Sequence, residues 1–454
     1  MAVVIVGMLD EREEALKVIK EQIEGRGHRT LLTDITVGTG ALVPSLKADV
    51  TSAELLALAK GAETLDVDAR QTALMAEGLK RKVLALSDAG ELDGIIAITG
   101  MTGALISLEA MKALPFGVPK LLITSSASMP AHAEQYAEYL AYGDITVMHA
   151  MIDTVGMNSL VRTLAVNGAN AVSGMVEGRH LQTQEKKLSA AITEFGFCEK
   201  GAHFIRRILE EHYEVVSFHS NGLGDQAAVG LVRKGYFAAF VDLVPGAFSE
   251  YLLGGNRASG PDRLDIAADE PIPYILCPGG FDMISCGPLE RREKRDPLWV
   301  GRRLGERKLH VQDAFRVQAR TSTEEMGQIA LAVSERLNRY ILKERVKVVI
   351  PLGGFSVLST RGGELYDPEA DLAFTESVKS RLDHEIEVIE VATDINSPEF
   401  SEVVMAAVSK SLSALREGAT GWDRSKFPRK ECRRGEQPDE SKAITSIPAG
   451  ESHR

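Results

Sequence analysis

Apolar positions along the 454-residue chain follow two alternating patterns: short unbroken runs, and longer stretches in which apolar residues recur three and four apart. The first pattern marks a strand buried on both faces, and the second marks a helix packed against a sheet. Gly94–Ile98 and 104–114 show the pair plainly, with a glycine-bearing turn between them. The chain opens the same way. Ala2–Gly7 reads as a strand, 11–24 as a helix with Leu16, Ile19 and Ile23 on one face, and 30–33 as a strand ending at Asp34. Further strands are expected at 120–124 and 145–148, and helices at 69–86 and 159–176. The order then restarts with a helix at 202–211, a strand at 214–219 and a helix from Gln226. Strands at 236–242, 274–277, 346–351 and 387–391 follow, with long helices at 322–343 and 399–415. This alternation predicts an α/β protein of two Rossmann-like, doubly wound subdomains, 1–177 and 188–415, with parallel sheets and an intervening cleft lined by the carboxyl ends of strands.

Four stretches break the pattern. Residues 36–68, with Gly38, Gly40 and Pro44, read as a lid-like loop, and 177–187 as a charged connector. The basic run 291–307 reads as a solvated face, and 416–454 as a polar tail, disordered or draped on the surface. Gly168, Ala169, Ala171, Ser173 and Gly174 keep the second half of the 159–176 helix slim, which suits close helix packing or a dimer contact.

Composition narrows the partners. Hydrophobic residues at 44% and charged residues at 26% are ordinary for a globular protein, and the length favours two or three domains. A formal net charge of -12 gives no general attraction to nucleic-acid phosphates or anionic lipid, so neither nucleic acid nor membrane is an expected partner. Cys198, Cys277, Cys286 and Cys432 show no CxxC spacing and no histidine cluster, so they read as reduced thiols and no metal centre is expected. Met1 leads straight into AVVIVG, with no basic leader and no membrane-length apolar run, which points to the cytoplasm.

The turn Thr99-Gly100-Met101-Thr102-Gly103 puts backbone N–H groups at a strand's carboxyl end and a helix N-terminus, where an anion is the natural guest. A plain tight connection explains the same glycines. Asp10 reads equally as a helix cap or a ligand contact, and Ser125 opens a hydroxyl-rich turn. Gly7, Asp10, Gly100, Thr102, Gly103 and Ser125 are therefore the candidate phosphate- or nucleotide-binding set. In the second half, Asn221, Gly222 and Gly224 follow one strand, Gly279 and Gly280 precede Asp282, and Gly353 and Gly354 precede Ser356. These turns, with Arg320 and Thr321, are the candidate substrate-binding set, and Asp282 and His310 the candidate catalytic pair. Asp282 suits a substrate hydroxyl, a magnesium ion or its own backbone. Arg320 offers a planar fork next to a helix N-terminus, as an anion grip or as a structural ion-pair partner. Walker A spacing is absent, no third glycine completes a dinucleotide fingerprint, and Leu358 stands where a GxSxG elbow needs glycine.

The segments Asp153-x-x-Gly156-x-Asn158, Phe281-Asp282-Met283 with Gly287-Pro288, Arg320-Thr321, Gly354-Phe355-Ser356, Tyr366-Asp367-Pro368-Glu369-Ala370-Asp371 and Ile395-Asn396-Ser397-Pro398-Glu399-Phe400 carry a resemblance. Together they resemble the N-terminal inhibitor domain of the tomato mosaic virus resistance protein and its stand-alone microbial relatives, an uncharacterised family, over about residues 2–415. The resemblance implies two Rossmann-like subdomains, a homodimer or higher homo-oligomer, and ATP binding, with magnesium accompanying the nucleotide. Three departures stand out. The family's glycine-rich run is Thr99-Gly100-Met101-Thr102-Gly103-Ala104 here, its arginine- and glutamate-bearing loop is Gly222-Leu223-Gly224-Asp225-Gln226-Ala227-Ala228-Val229, and its threonine-rich turn is Val244-Pro245-Gly246-Ala247-Phe248. The expected function is binding of ATP or another phosphorylated small molecule, with either turnover of an anionic metabolite in the cleft or nucleotide sensing and partner binding without catalysis.

Overall fold

The computed structural model describes residues 1–9, 12–37, 44–59, 70–179, 188–266 and 272–417. The chain divides into two units, Met1–Glu185 and Lys186–Arg454. In the first, β1 (Ala2–Gly7), α1 (Glu13–Gly25), β2 (Arg29–Asp34), α2 (Ser52–Leu58), α3 (Arg70–Asp88) and β3 (Gly94–Ile98) lead to α4 (Met101–Ala113). Then come β4 (Lys120–Thr124), α5 (Ala133–Tyr142), β5 (Thr146–His149) and α6 (Ser159–Arg179). The sheet has the order β2-β1-β3-β4-β5, and every pairing is parallel.

Strand alternation splits this core into two faces. Val4, Val6, Ile95 and Ala97 pack against Leu55, Met75, Leu79 and Ile106 from α2, α3 and α4. Val3, Ile5, Ile96 and Ile98 pack against α1 and α6 through Leu16, Ile19, Val161 and Val172. Buried on both sides, the strands show continuous apolar runs, which is why they were legible. The slim half of α6 is used inside the unit: a Cβ on Gly168 would lie 2.5 Å from Ile123. Part of the segment read as a lid is instead α2, closed by a capping box between Thr51 and Glu54 and tied to the sheet edge by the Thr33–Val50 bridge. Its residues 38–43 and 60–69 lie outside the described residues, as do 180–187 of the connector and 418–454 of the tail.

The second unit begins one strand earlier than the pattern suggested, with β6 (Ser189–Glu194) ahead of α7 (Glu199–Leu209). It continues with β7 (Glu214–His219), α8 (Leu223–Arg233), β8 (Ala239–Asp242), α9 (Gly246–Leu253), β9 (Tyr274–Leu276) and β10 (Met283–Gly287). Next are α10 (Glu290–Glu293), α11 (Pro297–Gly301), β11 (Leu309–Val311), β12 (Val317–Arg320), α12 (Thr323–Leu337) and β13 (Val346–Pro351). The last elements are α13 (Pro368–Arg381), β14 (Glu387–Val391) and α14 (Pro398–Glu417). A parallel six-stranded sheet has the order β14-β13-β9-β8-β6-β7, and β10-β12-β11 form a small antiparallel sheet. Those three short strands alternate too little to be read from sequence. The long helix expected at 322–343 stops at Leu337 and is started by Ser322 in a capping box with Glu325. The basic run is a solvated face in part, with Arg292, Lys294, Arg295 and Arg303 exposed, whereas Arg302 and Arg307 both pair with Glu325, Arg291 pairs with Asp296, and Trp299 is buried with its indole N–H on the Cys286 carbonyl. No helix among the described residues is long and apolar enough to cross a membrane.

Candidate functional site

In the first unit the chain places β2 on one side of β1 and β3 on the other. The carboxyl ends of β1 and β3 therefore part at a switch point, where open α/β sheets bind ligands. Gly7, Gly100, Thr102 and Gly103 lie there, and Ser125 follows the neighbouring β4, whereas Asp10 lies outside the described residues. Packing alone already fixes two of the glycines. A Cβ on Gly7 would come within 2.6 Å of Leu16, and one on Gly103 within 2.9 Å of the Thr99 side chain.

Gly100 is different, because it is the N-cap of α4 and supplies no side-chain cap to that helix's first N–H groups. A Cβ at Gly100 would lie 3.0 Å from Nη2 of Arg12. Arg12 precedes α1, and its guanidinium donates to Thr154 Oγ1 at 3.1 Å and to Asp153 Oδ1 at 3.2 Å, with the arginine side chain 12% exposed and the aspartate 72%. Beside them Thr99 Oγ1 is buried with no hydrogen-bond partner among the described residues. A guanidinium and a helix start with no side-chain cap among the described residues thus share one location, and both favour an anion. Across β1, the Leu9 N–H donates to Asp34 Oδ1 and Thr36 Oγ1, which fixes the start of the β1 turn. Arg12 escaped sequence reasoning because it stands among Glu11, Glu13 and Glu14 and reads as a helix-surface charge. Its place in a strand-to-helix turn was the available signal.

The second unit treats its glycines otherwise. A Cβ on Gly279 would come 2.3 Å from the Leu243 carbonyl, one on Gly280 3.3 Å from Gly246, and one on Gly353 2.7 Å from Thr393. Gly354, at φ +134°, would meet Thr360 at 2.9 Å. These turns make room for neighbouring backbone. Around α8, Gly222 (φ +90°) and Gly224 would meet the carbonyls of Ala258 and His219 at 2.6 and 2.1 Å. Asn221 accepts from the Gly224 N–H and Asp225 from the Gly222 N–H, so this helix start is already capped. Asp225 is fully buried and pairs with Arg263, which also clasps Asp242. That accounts for an aspartate in this loop without a ligand.

Asp282, Arg320, Thr321 and Ser356 do come together. Ser356 Oγ donates to Asp282 Oδ2 at 2.5 Å, and Thr321 Oγ1 donates to the Phe281 carbonyl at 2.9 Å. The Arg320 fork is spent on protein: Nη2 donates to Asp371 Oδ1 at 2.6 Å and to the Asp367 carbonyl at 3.0 Å, and Nη1 to the Asp282 carbonyl at 3.4 Å. The start of α12 next to it is occupied by Ser322 and Glu325. Burial pushes the Asp371 carboxyl up to about 7 against the opposing pull of Arg320, with the charges of Asp282 and Asp367 adding to the rise. His310 stands apart, with Nδ1 2.8 Å from Glu364 and its ring edge-on to Phe197 at 5.4 Å. Among the described residues no hydrogen bond links it to Asp282, and no group of three or more His, Cys, Asp or Glu is placed to hold a metal ion. Asp371 was visible in the sequence only as part of a motif; its burial beside an arginine could not be read from spacing.

Family models match almost the whole described chain. The Uncharacterised protein family (UPF0261) N-terminal domain matches residues 1–181, and the C-terminal domain of the same family matches 187–412. A UPF0261 protein of Clostridium tetani is 30% identical over 424 residues, which is 91% of this chain and 99% of that protein. A UPF0261 protein of Brucella suis is 27% identical over 90% of this chain and 95% of its own length. The ToMV resistance protein Tm-1(GCR237) of Solanum lycopersicum is 28% identical over 80% of this chain, which spans 47% of that longer protein. Among solved structures, a UDP-N-acetylglucosamine 2-epimerase from Rickettsia bellii aligns over 61% of this chain and 78% of its own, at 9% identity and a TM-score of 0.23, too low to carry an argument.

Proposed function

Because the chain belongs to the uncharacterised protein family UPF0261, its function has to be read from its own residues, and we propose that it binds a phosphorylated small molecule at the switch point of its first unit. ATP, with magnesium as its counter-ion, is the first candidate through the resemblance described above. The observation that carries this reading is the Arg12 guanidinium lying against Gly100 at the uncapped start of α4. A phosphate group there would take the helix N–H groups and one edge of Arg12. Asp153 is the exposed carboxylate that such a phosphate would displace from Arg12. Met101, 43% exposed at the first position of α4, stands where a more open glycine run would leave space, and this favours a ligand with fewer phosphates in contact. Calorimetric titration with ATP, ADP, AMP and inorganic phosphate, each with and without magnesium, tests the proposal. A saturable heat with at least one of them is expected. No heat and no thermal shift with any of them would overturn it.

A further inference from the structure

The run between β10 and β11 folds into two short helices, α10 and α11, that the second unit anchors from beneath. Trp299 is buried with its indole on the Cys286 carbonyl, Arg291 pairs with Asp296, and Arg302 and Arg307 clasp Glu325. What faces outward is different. Arg292, Lys294, Arg295 and Arg303 are exposed, and Val300 and Leu289 of the same run are 50% and 39% exposed. The side chains of Arg292 and Arg295 make no hydrogen bond or ion pair among the described residues, Lys294 meets only the exposed Glu290, and Arg303 lies 4.0 Å from the exposed Glu306. The backbone carries a cost at the same place. Each helix is followed, two residues on, by a left-handed residue, Arg295 at φ +54° and Arg303 at φ +49°. After α10 the Arg295 N–H returns to the Arg292 carbonyl and the Asp296 N–H to the Arg291 carbonyl, a closing turn in which glycine is usual because a Cβ is penalised there. Among the described residues only three non-glycine positions are left-handed, and two of them are these arginines. Helices of four and five residues have too little dipole to reward the charge, and neither guanidinium gains a buried bond that offsets the conformation.

We propose that the outer face of α10 and α11 is a docking surface for an acidic segment of a partner protein, with Arg292, Arg295 and Arg303 taking its carboxylates and Val300 offering an apolar contact beside them. The chain as a whole has a formal net charge of -12, so this face is a local reversal of sign that steers an acidic partner to one place. The planar fork of arginine matches a carboxylate through two parallel bonds. Arg292 packs over Gly305, its Nε 3.0 Å from where a Cβ would stand, which brings its guanidinium to the turn that carries Arg303 and Glu306. Nucleic acid fits less well. The one aromatic residue of the run, Trp299, is buried and offers no ring for base stacking. The exposed Glu290, Glu293 and Glu306 would repel a continuous phosphate chain, whereas a protein segment of mixed charge meets them with its own cations. The face lies in a different unit from the phosphate site and does not depend on it.

Fluorescence anisotropy of the full chain with a labelled peptide of repeated Glu-Asp-Leu units, and with a labelled single-stranded RNA of equal length, tests the proposal. The peptide should bind saturably, more weakly as salt rises, and more tightly than the RNA. The decisive variant combines Arg295→Gly and Arg303→Gly, because glycine relieves both left-handed positions. It should melt at the same temperature as the wild type or higher, yet lose at least about tenfold in affinity for the peptide. Arginines kept for structure would instead give a variant that melts lower. Arg292→Ala, at a position with no such backbone demand, should weaken the peptide by a similar factor and keeps the test open if the glycine variant does not fold. The proposal is overturned by a peptide that does not bind the wild type, by RNA that binds as tightly, by an affinity that both variants leave unchanged, or by a glycine variant that melts lower.

Discussion

Replacing Asp371 with asparagine should change how stability depends on pH. The carboxyl stands at about 7 in the folded chain against its ordinary 3.8, because burial penalises the charged form more than Arg320 rewards it. A group whose folded value is raised stabilises the fold fully below its unfolded value, and that contribution is lost as pH climbs through the folded one. The rise from 3.8 to about 7 is worth about 4 kcal/mol in all, and about 2 to 3 kcal/mol of it falls between pH 5 and 8. Asparagine keeps the shape and an oxygen to accept from Arg320 but cannot titrate. Urea denaturation of wild type and Asp371→Asn at several pH values isolates the effect. The stability of the wild type relative to the variant should decline by about 2 to 3 kcal/mol from pH 5 to pH 8. Two curves that run parallel would refute the reasoning and mean that Arg320 keeps Asp371 ionised throughout.

Arg320→Lys keeps a charge but cannot span Asp371, Asp367 and Asp282 at once, so a stability loss of about 2 to 3 kcal/mol is expected by denaturant titration; unchanged stability would mean the fork is not structural. Gly279→Ala drives a methyl to 2.3 Å from a backbone carbonyl that cannot give way, and should cost about 3 kcal/mol, the upper end for overpacking. Gly174→Ala, in α6 with nothing within 4 Å, should instead gain about 0.5 to 1 kcal/mol from helix propensity. Equal effects of these two alanines in thermal melts would contradict the packing account.

Most strands of the large parallel sheets were legible because they are buried on both faces and carry unbroken apolar runs, as β1 and β3 do, but β6, with Ser189, Thr193 and Glu194 around three apolar residues, was not. Short elements were less so. β11 and β12 owe their existence to pairing with each other and with β10, a tertiary fact absent from local pattern. The glycine turns were readable as turns, but not for what each glycine admits. Gly100 admits the Arg12 guanidinium, whereas Gly279 admits a carbonyl, and only packing distinguishes them. The same holds for Arg320, whose sequence neighbours left an anion grip and a structural ion pair both open, while the fold surrounds it with Asp371, Asp367 and Asp282. Arg12 shows the reverse error, a charge hidden among acidic neighbours that the fold carries to the switch point.

The central claim is that Arg12 and the start of α4 hold a phosphate, and comparing ligand titrations of the wild type and Arg12→Gln tests it most directly. Because Arg12 is itself 12% exposed and also donates to the buried Thr154 Oγ1, losing the arginine should lower the melting temperature of the free protein modestly, so both titrations are run well below it. The affinity for the phosphorylated ligand should fall by about tenfold to a hundredfold, the scale of a charged hydrogen bond. The same dissociation constant in both proteins would contradict the account and move the phosphate site elsewhere.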